Sequence, residues 1–177
     1  MKFFWFDCET TGLFAPYDLI LEVAFIITDE NLEELTAQQY VVSFDKGAPA
    51  CAIRDPKVLE MHTKNGLIKD CEGPLGNGLY QIEEWMVRAI MMTCDDERPM
   101  LAGSSVHFDR TFIKHRLPTL DAMLHYRHFD VSVLQTGAEM WAPEMVYISG
   151  EVAHRAMADV RYSLEKARHY KRKLYVA

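Results

Sequence analysis

Residues 1–13 read MKFFWFDCETTGL. Phe3 to Phe6 are four large apolar side chains in a row, which suits a central strand covered on both faces better than one with a wet side. Two carboxylates, Asp7 and Glu9, follow directly. Side chains alternate across a strand, so if the strand runs through residue 9 both acids share a face and Cys8 points into packing. Like charges this close raise each other's cost, and one would tend to keep its proton. A hard divalent cation removes that cost, and carboxylate oxygens suit Mg²⁺ or Mn²⁺. On its own, such a pair is more often a solvated strand end than a catalytic one.

Outward from this strand, Gly12 and Pro16 mark TTGLFAPYD as a loop, and LILEVAFIITD reads as a second strand. DENLEEL is a hairpin connection to a third, QQYVVSF. PKVLEMHT and GLYQIEEWMVRAIMM follow helical periods, the latter through Leu79, Ile82, Met86, Ala89, Ile90 and Met92–Thr93. MLAGSS is a short strand ending in small residues, FDRTFIKHRL the start of a helix, and HYRHFDVSVLQTGAEMW a strand running into a helix. A last helix covers roughly 153–173, with Ala156, Val160, Leu164 and Ala167 as its apolar stripe. Strands first, then strands alternating with helices, predict an α/β chain with a mixed sheet and helices on its faces.

The 177 residues make one domain, 1–177, with no repeat or interdomain linker. FFWF and VAFII are far too short to span a bilayer. One lysine and four apolar residues before Asp7 do not form a signal peptide, and Cys8, Cys51, Cys71 and Cys94 show no paired spacing. The cysteines therefore read as reduced thiols of a cytoplasmic protein. The net charge of -7 argues against tracking along long nucleic acid, though not against a short piece held by metal ions. The one basic cluster, KARHYKRK at 166–173, is read as cations complementing the dipole of the last helix.

Two more segments carry acids. GSSVHFDRTFI puts Asp109 at the start of a helix, where the dipole alone would favour it. HRAMADVRYSLE puts His154 five residues before Asp159. Five helical residues turn roughly 500°, so the two do not share a face within one helix. His154 is expected at or before the first turn, free to reach a site that Asp159 lines.

Together these segments resemble the DEDDh 3′-to-5′ exonucleases, and within that superfamily the oligoribonucleases. The resemblance runs from FFWFDCETTGL through MHTKNGL, GSSVHFDRTFI and HYRHFDVSVLQT to HRAMADVRYS. It implies a ribonuclease H-like fold, a mixed five-stranded sheet flanked by helices. It also implies hydrolysis of short RNA, especially dinucleotides, to nucleoside 5′-monophosphates with two divalent cations, Mg²⁺ or Mn²⁺. Asp7 would bridge both ions, Glu9 and Asp159 complete one, and Asp109 hold the other through water. His154 would accept the proton of the attacking water, a role that an imidazole of ordinary pKa suits.

The resemblance further makes Leu13 a wedge between two bases, against a plain reading as a core anchor. Ser105, Arg127, Ser132 and Thr136 become a cap on the substrate's 5′ phosphate, where a forked guanidinium and hydroxyls fit. Without it, Arg127 reads as a surface charge and the hydroxyls as helix caps. Tyr126 matches a residue reaching into a partner subunit's site, which implies a homodimer. His62 matches an active-site histidine, where the bare sequence suggests solvent exposure. One departure stands out. The family usually has a base-stacking tryptophan before MHT, whereas DPKVLEMHT has no aromatic and Lys57 stands near that place. Stacking is worth ~1–3 kcal/mol per base, so dinucleotide affinity is expected to be lower or supported elsewhere. The other readings are a DEDDh exonuclease on DNA or longer RNA 3′ ends, and an inactive fold that binds nucleic acid or a partner.

Overall fold

A computed structural model describes residues 1–74, 76–148 and 154–174. Five strands, β1 (Phe3–Thr10), β2 (Ile20–Thr28), β3 (Glu34–Val41), β4 (Met100–Gly103) and β5 (His128–Asp130), form one sheet in the order β3-β2-β1-β4-β5. β1 pairs antiparallel with β2 and parallel with β4, β2–β3 is antiparallel and β4–β5 parallel, so the sheet is mixed. The helices are α1 (Ala48–Ala52), α2 (Pro56–Lys64), α3 (Leu67–Cys71), α4 (Leu79–Thr93), α5 (Val106–Arg116), α6 (Pro118–Met123), α7 (Val131–Trp141) and α8 (Ala156–Leu174), with a 3₁₀ turn at Pro143–Met145.

β1 lies mid-sheet and β2 is buried along its whole length. Alternation sorts β1's side chains between two cores. Phe4, Phe6 and Cys8 pack with Ile82, Met86 and Ile90 of α4 and Phe112 and Ile113 of α5. Trp5 faces the other way, against Ala156, Val160, Leu164 and Ala167 of α8, and its indole N–H donates to the Thr28 hydroxyl at 3.0 Å. Asp7 and Glu9 share Trp5's parity, so they sit on the α8 side of the sheet. A large apolar side chain buried this fully contributes about 1.5–3 kcal/mol, which makes the strand under the two acids rigid. The α8 stripe has two alanines, which let the helix approach the sheet closely, and replacing Ala156 by a large residue would push it off.

The structure adjusts several expectations. β3 begins at Glu34, so the hairpin turn is shorter than DENLEEL. Asp29 Oδ1 accepts the N–H groups of Asn31 and Glu33, and Leu32 takes a left-handed φ of 69°. Met92, assigned to the apolar face of α4, is 86% exposed because the helix turns that position outward. α8 starts at Ala156, while residue 153 lies outside the described residues. Lys171, Arg172 and Lys173 do sit in α8's last turn. Other members of the basic cluster are tied to the fold: Arg168 donates to the Leu32 carbonyl, and Lys166 is buried over the Tyr162 ring.

Candidate active site

β1 remains a strand as far as Thr10, so Asp7 and Glu9 do project from one face. Asp159, in the first turn of α8, meets them there. One carboxylate oxygen from each of Asp7, Glu9 and Asp159 lies within 4.8 Å of the others. Asp109 comes from α5 and is only 3% exposed. Its Oδ1 accepts the backbone N–H of Cys8 at 3.3 Å and the Cys8 thiol at 3.4 Å. Burial raises that thiol's pKa, so it stays protonated and able to donate.

The electrostatics of this cluster are strained. Burial, then the nearby Asp109 and Glu9, raise the Asp7 pKa well above the carboxylate range. Burial followed by Asp159 lifts Glu9 to about 7. Burial likewise lifts Asp109 to about 7, against the relief of the Cys8 hydrogen bonds. Asp159 rises to about 6, mainly by burial, with His154 pulling it back. Asp159 Oδ1 is buried without a hydrogen-bond partner. Clustered acids and an orphaned buried oxygen are the donor set of a hard divalent cation, which would neutralise the repulsion and fill the open coordination.

His154 stands two residues ahead of α8, with a left-handed φ of 49°, a conformation that costs a non-glycine residue ~1–3 kcal/mol. Its carbonyl accepts from Asn65 Nδ2 at 2.6 Å. His62, expected at the surface on its residue type, is 1% exposed because α2 carries it under the end of β1. Its Nε2 lies 3.0 Å from the Thr10 carbonyl and 4.0 Å from a Glu9 oxygen. A carbonyl only accepts, so Nε2 carries the proton, and burial lowers the ring's pKa toward the neutral form.

Leu13 is 83% exposed, which rules out a core anchor. The loop holding it is braced by Asp18, whose carboxylate accepts from the Thr11 hydroxyl at 3.1 Å and the Phe14 N–H at 2.8 Å. A Cβ at residue 12 would lie 2.6 Å from that carboxylate, so any other residue would push Asp18 off these hydrogen bonds.

Ser105 and Ser132 are drawn together by Asp130. This carboxylate accepts from Ser105 N, Val106 N, Ser132 N and the Ser132 hydroxyl, at 3.0, 3.1, 2.9 and 2.5 Å, capping α5 and α7 at once. Thr136 lies one turn beyond Ser132 on the same face of α7. Arg127 is exposed, its guanidinium 5.5 Å from the centre of the Tyr126 ring, and Tyr126 is itself 75% exposed. Lys57 is also exposed.

Sequence reasoning missed four residues that organise the site: Glu22, Asn65, Asp130 and Arg155. Only Glu22 had a visible signal, a lone acid inside LILEVAFII. It is 0% exposed and bound by Arg155 at 2.7 Å.

Residues 4–166 match the family model described as RNase_T, exonuclease. Curated relatives named oligoribonuclease include those of Corynebacterium glutamicum (36% identical, 98% of this chain and 80% of that protein) and Mycobacterium leprae (35%, 97% and 80%). Among solved structures, exonuclease I of Methylocaldum szegediense aligns with a TM-score of 0.72 at 16% identity, over 98% of this chain. A zinc-bound complex of E. coli exonuclease I with single-stranded DNA gives 0.73 at 15%, again over 98% of this chain. This chain spans 41% of each of those two proteins, and the likeness concerns the fold. With its mixed five-stranded sheet and its acids gathered at the end of β1, the chain belongs to the oligoribonuclease family, DEDDh exonucleases of the ribonuclease H-like α/β fold.

Proposed function

We propose that this 3′-to-5′ exoribonuclease takes very short RNA, dinucleotides above all, and releases nucleoside 5′-monophosphates using two divalent cations, Mg²⁺ or Mn²⁺. The observation that carries the reading is the convergence of Asp7, Glu9 and Asp159 around a buried, unpartnered Asp159 oxygen. Asp7, Glu9 and Asp159 would hold one cation, and Asp7 with Asp109 the other. Bound there, the cations stabilise charge on the attacking and leaving oxygens at phosphorus. His154 takes the proton from the attacking water. His62, buried and neutral, lines the site beside Glu9.

The exposed Leu13 parts the two bases. Ser105, Arg127, Ser132 and Thr136 close the 5′ side, Arg127 supplying the charge and the hydroxyls completing the shell. A closed 5′ side limits substrate length, in keeping with a chain whose net charge of -7 suits tracking along a longer strand poorly. The Ser132 hydroxyl must turn from Asp130 to donate to a phosphate.

The enzyme acts as a cytoplasmic homodimer. Val133, Leu134, Gly137, Trp141, Met145 and Tyr170 line an apolar groove between α7 and α8, and Trp141 is 80% exposed. A second copy would cover this face and bring Tyr126 to its neighbour's substrate. Among the described residues no helix is long and apolar enough to cross a membrane.

The absence of an aromatic at Lys57 favours one second reading, action on longer RNA or DNA 3′ ends. Hydrolysis of a 5′-labelled RNA ladder of two to about ten nucleotides, beside a DNA set and with Mn²⁺ or Mg²⁺, separates the two. A steep preference for the RNA dinucleotide is expected. Equal rates at every length, or preference for DNA, would overturn it.

A further inference from the structure

We propose that Glu22, Arg155 and Asn65 form a clamp that sets the position of His154 relative to Asp7, Glu9 and Asp159, as positioning residues that touch no substrate. The inference rests on the reading of His154 as the general base.

Glu22 of β2 lies directly opposite Glu9 of β1 in the strand register. Its buried carboxylate accepts from Arg155 Nε at 3.1 Å, Arg155 Nη2 at 2.7 Å, Gln39 Nε2 at 2.5 Å and the Ala156 backbone N–H at 3.0 Å. One carboxylate of the sheet thus caps α8 and grips the residue between His154 and that helix. Arg155 continues the chain of contacts, pairing with Asp70 of α3 at 3.0 Å and donating to the Asn65 carbonyl at 3.4 Å. Asn65, the C-cap of α2, donates from Nδ2 to the His154 carbonyl at 2.6 Å.

His154 and Arg155 are therefore fastened to α2, α3 and β2, with Gln39 of β3 bracing Glu22 from behind. The left-handed backbone of His154 is held by its surroundings, as a strained non-glycine conformation requires. Stability alone is a poor account of the pair, since well-packed apolar replacements of buried ion pairs are often neutral or stabilising. What the pair provides is direction: the forked guanidinium admits few orientations, and each one fixes where the preceding residue stands. The path from metal ligand to base is short, running from Glu9 across one strand pair to Glu22, then to Arg155 and His154.

Two variants separate this role from general scaffolding. Asn65→Asp keeps an acceptor for the Leu67 N–H, now made to Asn65 Oδ1 at 3.1 Å, while removing the donor to His154. Arg155→Lys keeps the charge that balances Glu22 but loses the fork. With an RNA dinucleotide and saturating Mn²⁺, each is expected to lower kcat at least about tenfold, toward the 10²-fold that a displacement of ~1 Å costs. KM and calorimetric Mn²⁺ affinity should stay within about twofold of the parent. In a His154→Ala background Asn65→Asp should cost nothing further, because the group it positions is gone.

Parental kcat in both variants, losses shared by KM and Mn²⁺ affinity, or full additivity with His154→Ala would overturn the clamp. If Arg155→Lys fails to fold, Asn65→Asp and its double mutant decide alone. An unimpaired His154→Ala would defeat the general-base reading, and the clamp with it. A crippled His154→Ala beside an unimpaired Asn65→Asp would defeat the clamp only.

Discussion

At Asp7 and Glu9 the chain is held in a central strand between two cores, and the carboxylates lie close together with raised pKa values. A few residues later Leu13 is 83% exposed on a loop held by hydrogen bonds to Asp18. The residues proposed for the 5′ cap resemble the loop more than the strand, with Arg127 and Ser105 exposed at element ends and Thr136 exposed midway along α7. The acidic end is preorganised: its repulsion is built in by burial, and protons or a cation relieve it. The side chains proposed as wedge and cap stand in water. Changes there cost the fold little.

If that contrast is right, damage at the acidic end should be catastrophic and damage at the other end graded. Asp7→Ala should abolish turnover, a loss of at least about 10³-fold, beyond the 10–100-fold typical of losing a partner behind the ligands. Retained activity in a chelator-controlled assay would remove Asp7 from the centre. His154→Ala should lower kcat by roughly 10²–10⁴-fold. Mn²⁺ affinity, followed by calorimetry, should not change, and an equal loss of affinity would move His154 into the ligand shell.

At the exposed end, Arg127→Ala should weaken 5′-phosphorylated dinucleotides by roughly 10–100-fold in kcat/KM, since hydrogen bonds to charged groups contribute about 1.5–3 kcal/mol. Longer chains should lose less, and a uniform loss would mean that there is no phosphate cap.

The smallest effect is thermal and has a definite sign. Glu9 and Asp109 near 7 and Asp159 near 6 hold protons in the folded state that the unfolded chain releases near 4. Their contribution to stability is present below that range and is lost as pH rises through 6 to 7. The metal-free melting temperature should therefore fall by a few degrees between about pH 5 and 8. Mn²⁺ should restore it at the upper end, and a flat profile would mean that the acids are not in tension.

Most of the frame was legible along the chain, because the signals for it are local. FFWF followed by D-x-E announced a buried strand with two acids on one face, and 3.6-residue periods located α2, α4 and α8. The short helices α1, α3 and α6 left no trace, since five or six residues are too few to show a period. His62 is an instructive failure: nothing in MHTKNGL marks the histidine as buried, because what buries it is the end of β1, 52 residues away.

By itself, then, the sequence determined the order of elements and the face that Asp7 and Glu9 share, and it set His154 at or before the first turn of the helix that carries Asp159. Alternation and helical period depend only on neighbouring residues. Tertiary structure alone decided that Asp159 reaches that face, that Asp109 of α5 comes to Cys8 in the same strand, that Asp130 serves two helix ends, and that Glu22 holds Arg155 across 133 residues. A lone acid in an apolar strand has no partner until the chain closes on itself. The cost of burying its charge is then met by Arg155, which folding brings within reach.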